Sequence, residues 1–150
     1  MLYQSDLGDS SWDSVAEVFN PLDYLVLEDG GTTADVGRRR SVLTSSEELE
    51  EATRYARELV RGTRENLGRI DEMIREQAEH WRLERMPGVD RNILRLAVYE
   101  LLFDTDVPQL VIVDEAIELA KSFGSERSSG FVNGLLDGLL KSHEFPGRRT

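Results

Sequence analysis

MPGVDRNILRLAVYELLFDTDVPQLVIVDEAIELAKSFGSERSSGFVNGLLDGLLK, running from Met86 to Lys141, decides the fold of this chain. Its apolar residues recur at helical rather than strand spacing. Leu94, Ala97, Val98, Leu101 and Leu102 fall at i, i+3, i+4, i+7 and i+8, one continuous apolar face. Asp104-Thr105-Asp106 stops this helix, and Pro108 suits the first turn of the next. There Ile112, Ala116, Leu119, Ala120 and Phe123 repeat the stripe, and Gly124 supplies the stop. Ser125 is placed to cap a third helix, in which Val132, Leu135, Leu136, Leu139 and Leu140 face inward. Gly130, Gly134 and Gly138 recur at every fourth residue of that helix. Each costs about 1 kcal/mol relative to alanine, so the close approach of a helix of the same chain, or of a partner, is expected to offset the loss.

Upstream, the pattern is looser. Met1, Leu2 and Leu7 suit a short helical piece, and Asp13 can cap a second with Val15, Val18 and Phe19 on one face. Residues 28–45 carry no helical period and read as a flexible loop. Within it lies a dense basic cluster, Arg38, Arg39 and Arg40, which is either a possible phosphate contact or a solvated loop end. A helix restarts after Ser45 or Ser46, with Glu47 and Glu48 at the positive end of its dipole. Leu49, Ala52, Ala56, Leu59 and Val60 recur at helical spacing, and Gly62 and Gly68 predict a kink or break. Ile70, Met73, Ile74, Ala78 and Trp81 continue a buried stripe to a connector over residues 82–88. The expected architecture is all-α, with two packed helical-bundle subdomains. Residues 1–85 form the first, 86–141 the second, and 142–150 a flexible tail.

Composition narrows the function. A chain of 150 residues holds one compact domain or two small subdomains. No run approaches 18 apolar residues and no secretory leader pattern opens the chain, so no membrane role is expected and the location reads as cytoplasmic. There is no cysteine, which removes disulfides, thiolate nucleophiles and thiolate-bound zinc. His80 and His143 stand far apart in sequence, and the carboxylates of Asp114, Glu115 and Glu118 lack histidine partners. No metal site, no cofactor and no catalytic residue is therefore expected, and the chain does not read as an enzyme. The net charge is -11, from 18 Lys and Arg against 29 Asp and Glu. Such a field repels RNA, so any RNA contact needs a local basic patch or a basic partner. Between Asn92 and Ala120 the single cation Arg95 faces Glu100, Asp104, Asp106, Asp114, Glu115 and Glu118. That acidic strip is either a solvated face or a surface suited to a cationic protein.

The segments VDRNILRLAVYELL, VPQLVIVDEAIELAKSFGSE and SSGFVNGLLD resemble consecutive signatures of the NusB family of bacterial transcription antitermination factors. ARELVRGTRENLGRID is similar to that family's middle helices and LYQSDL to its first. The resemblance covers residues 1–7 and 50–141. It implies binding of the boxA element of ribosomal RNA leader transcripts together with NusE, a small-subunit ribosomal protein, within an RNA polymerase antitermination complex. By position it implies that Tyr3 lies near the RNA and that Glu100 and Phe131 lie on the RNA or partner face. Arg127 stands on that face where many members carry an acidic residue. The arginine-rich segment that precedes LYQ in the family is absent before Met1. Weak binding of boxA-type RNA by this chain alone is the consequence expected. The alternative is a protein-interaction or self-associating module, a possible homodimer, with little RNA binding. A further rival is a domain like the one preceding the catalytic part of some ribosomal RNA cytosine methyltransferases.

Overall fold

The computed structural model describes residues 46–150. The readings placed on residues 1–45, including Tyr3 and the Arg38, Arg39, Arg40 cluster, lie outside them. The fold is all-α. The helices are α1 (Ser46–Glu65), α2 (Leu67–Gln77), α3 (Gly88–Phe103), α4 (Gln109–Phe123) and α5 (Ser128–Ser142), with a 3-10 turn at Leu83–Arg85. Two compact units divide the chain near Glu58 and Leu59, and the unit described below runs from Leu59 to Thr150. Within this unit α2 packs on both α3 and α5.

Periodicity builds the core. Ile70 and Ile74 of α2, Leu94, Val98 and Leu101 of α3, Ile112 of α4, and Val132, Leu136 and Leu139 of α5 are fully buried. Each such side chain contributes about 1.5–3 kcal/mol by leaving water. A buried ion pair adds a directional tie. Arg95 on α3 donates to both carboxylate oxygens of Asp71 on α2, at 2.8 and 3.0 Å, and its third nitrogen reaches Asn92 Oδ1 at 3.1 Å.

Where the structure departs from the sequence reading, local contacts explain it. The helix breaks at Asn66 rather than at a glycine. The side chain and backbone N–H of Asn66 both donate to Gly62 O, at 2.8 and 3.1 Å, which closes α1. Gly62 itself lies within α1 because a Cβ there would collide with the Tyr99 hydroxyl and ring. Trp81, expected on the buried stripe, is 61 % exposed. Helix α2 ends at Gln77, and the Trp81 N–H turns back to Ala78 O at 3.0 Å, so the helical period no longer applies. Leu119 and Phe123 are also exposed: one sits on the rim of the α4 face, the other at the helix's last residue. Pro108 occupies the cap position before α4 rather than its first turn.

Gly124 is extended (φ -90°, ψ -173°) rather than left-handed. It is glycine because a Cβ there would strike Ser128. Ser125 does not cap α5. The helix starts at Ser128, whose Oγ accepts from the Ser125 N–H at 2.8 Å.

Candidate RNA and partner interface

The glycine row of α5 divides in two. At Gly138 a Cβ would collide with the Gln77 side chain, so the close approach there comes from within the chain. At Gly130 and Gly134 a Cβ would meet nothing within 4 Å. Those two bare positions border an open groove of about 320 Å³, lined also by Gln77, His80, Trp81 and Phe131. Across it the Trp81 and Phe131 rings stand edge to face, with centroids 5.9 Å apart and planes at 67°. Phe131 is half-buried against the core and Trp81 projects into solvent.

A second concavity shares Trp81 and His80 and is walled by Arg75, Arg82 and Glu84. Arg75 is bound to Glu84 at 2.9 Å. The Glu84 backbone and then this guanidinium hold the Glu84 carboxyl below its usual range. Arg82 is exposed and lines the second concavity, while Glu79, also exposed, lines both. Arg127, also exposed, precedes Phe131 by one turn, and its carbonyl accepts the Phe131 N–H at 3.1 Å. The exposed Trp81 ring, with Arg82 in the concavity beside it, offers a face on which an unpaired base can stack.

Of the residues named from sequence, the structure brings Arg127 and Phe131 together on α5. Glu100 is half-buried on α3, between Tyr99 and Phe103, whose rings stack at 5.0 Å. Trp81, which lines the groove, was not among the site residues named from sequence. Its signal lay in the polar run Glu79-His80 that separates it from the stripe ending at Ala78. Among the described residues no group of three or more His, Asp or Glu can hold a metal ion, and no helix is long and apolar enough to cross a membrane.

The described unit is an all-helical module with an open groove beside Trp81 and Phe131. The chain belongs to the NusB family, whose model matches residues 26–141. The transcription antitermination protein NusB of Thermotoga maritima is 52% identical over 94 residues, covering 63% of this chain and 66% of that protein. The protein of the same name from Frankia casuarinae is 60% identical over 87 residues, covering 58% of this chain and 64% of its own length. These matches thus span just under two thirds of each relative. A solved structure of T. maritima NusB superposes with a TM-score of 0.59 at 49% identity, covering 65% of this chain and 75% of that one.

Proposed function

We propose that this protein is a non-enzymatic transcription antitermination factor of the bacterial cytoplasm, binding boxA-type ribosomal RNA leader sequence together with NusE. The groove between Trp81 and Phe131 carries this reading. An exposed tryptophan beside bare glycine backbone adds nothing to the core, yet it offers a base a stacking face, with Arg82 lining the concavity next to it. The acidic strip supports the second half. The stretch from Asn92 to Ala120 holds six carboxylates against one cation, Arg95, which is bound to Asp71, and the Glu118 carboxylate pairs with Lys121 just beyond it. A basic ribosomal protein complements such a surface and lends cations to the RNA.

The test is fluorescence anisotropy of a boxA-containing RNA with the wild-type chain and the Trp81→Ala and Phe131→Ala variants, with and without NusE. Loss of a stacked base removes about 1–3 kcal/mol of binding. Trp81→Ala is therefore expected to weaken RNA binding roughly 5- to 150-fold without loss of folding. Unchanged affinity in both variants sinks the groove as the RNA site. A chain that binds NusE but no RNA in any form would favour the protein-interaction module instead.

A further inference from the structure

Trp81 is shared by two concavities: the groove beside Phe131, and one of about 520 Å³ walled by the last turn of α2, the connector and the 3-10 turn. The wall of the second carries two arginines, Arg75 and Arg82, and two carboxylates, Glu79 and Glu84, all exposed. The formal charges of these four cancel. An anion therefore gains most there by taking an arginine from a carboxylate.

Glu84 is the carboxylate placed to give one up. Arg75 Nη2 donates to Glu84 Oε1 at 2.9 Å, a bond that spans the connector from α2 to the 3-10 turn. The two side chains are 53% and 66% exposed, and ion pairs in water hold weakly. The Glu84 carboxyl is held low first by its own backbone and then by Arg75, so it keeps a stabilising neighbour when the guanidinium leaves. Arg82 also acts on it by charge. Both arginines thus converge on one carboxylate, which stands where an anion would. A phosphate is the better ligand for such a pair, since its oxygens can accept two parallel N–H bonds from a single guanidinium.

We infer that Arg75 and Arg82 form a phosphate subsite for the nucleotide whose base stacks on Trp81, and that the Glu84 carboxylate is a built-in anion that the phosphate displaces. The inference rests on the RNA reading of this surface. Its test is anisotropy of a boxA-containing RNA, with and without NusE, against Glu84→Gln, Arg75→Ala, both together, Glu76→Gln and Trp81→Ala. The residues replaced are exposed, so none of these changes opens the core. Removing a competitor held as weakly as a surface ion pair is expected to tighten binding about two- to fivefold in Glu84→Gln. That gain is expected to vanish when Arg75→Ala is added. It is also expected to vanish for wild-type sequence RNA carrying a neutral methylphosphonate at one particular linkage. Glu76, exposed on α2 outside both concavities, controls for the general field. No gain in Glu84→Gln, an equal gain in Glu76→Gln, or a gain that survives Arg75→Ala overturns the inference. Weakened binding in Trp81→Ala without any Glu84→Gln gain overturns the phosphate subsite and leaves the stacking face standing. The full Glu84→Gln pattern beside an unaffected Trp81→Ala keeps the subsite and sinks the stacked base. RNA binding by none of these forms overturns both.

Discussion

Gly62 and Gly134 show how one residue type serves opposite ends. Both lie inside helices with ordinary backbone angles, since no residue among those described has a positive φ. At Gly62 the missing Cβ makes room for Tyr99, and any larger residue must displace a ring that is itself stacked on Phe103. At Gly134 nothing occupies the space. Removing glycine from a helix gains about 0.5–1 kcal/mol where the new side chain fits. Gly134→Ala is therefore expected to raise stability by about that amount in urea unfolding, while its methyl group narrows the groove and weakens RNA binding. Gly62→Ala is expected to cost about 1–3 kcal/mol through overpacking. A destabilised Gly134→Ala, or one with full RNA affinity, would show that the bare backbone serves the fold and not a ligand.

At the scale of elements, the stripes that specify α3 and α5 survive folding almost unchanged, because those helices are long and packed along most of one face. Val98, Leu101, Val132 and Leu136 lie where the period puts them. Periodicity fails where an element stops, since a residue beyond the last turn no longer shares its phase. Trp81, past the end of α2, is such a case, whereas Phe123 is exposed as the last residue of α4. The misreading of Trp81 also hid one side of the groove, whose other side, Phe131, the family resemblance had singled out. The hold of residues 145–149 on the start of α4 was illegible for a different reason: it is mostly through backbone carbonyls, which leave no side-chain pattern to read. The tie between α2 and α3 was equally hidden, because an arginine on a helix surface and one buried against a carboxylate look alike in sequence. With both side chains of the pair 11% exposed, Asp71→Ala strands the Arg95 charge in a poorly solvated place. A cost of about 3–5 kcal/mol is expected on urea unfolding. Replacing both partners, Asp71→Leu with Arg95→Met, is expected to recover most of it. Equal losses from the single and double variants would mean that shape rather than charge matters there.

For the whole molecule the governing quantity is charge. A chain of net charge -11 approaches RNA against its own field, so cations near the groove must act locally and few phosphates can be neutralised at once. Each phosphate contact on a single strand contributes about 0.7 to the slope of log K against log salt concentration. Arg82 lines the concavity beside Trp81, so Arg82→Ala is expected to reduce the slope of the isolated chain by about 0.7. Trp81→Ala is expected to lower affinity at every salt concentration and leave the slope alone, because stacking releases no counterions. A basic partner on the acidic strip changes both terms. It cancels part of the repulsive field and adds cations of its own, so the complex is expected to bind more tightly and with a steeper slope. The comparison needs only anisotropy titrations across a salt series, with and without NusE. If the isolated chain already binds as steeply as its complex, the phosphates are met by cations of this chain beyond those at the groove. The acidic strip would then have no part in recruiting charge to the RNA.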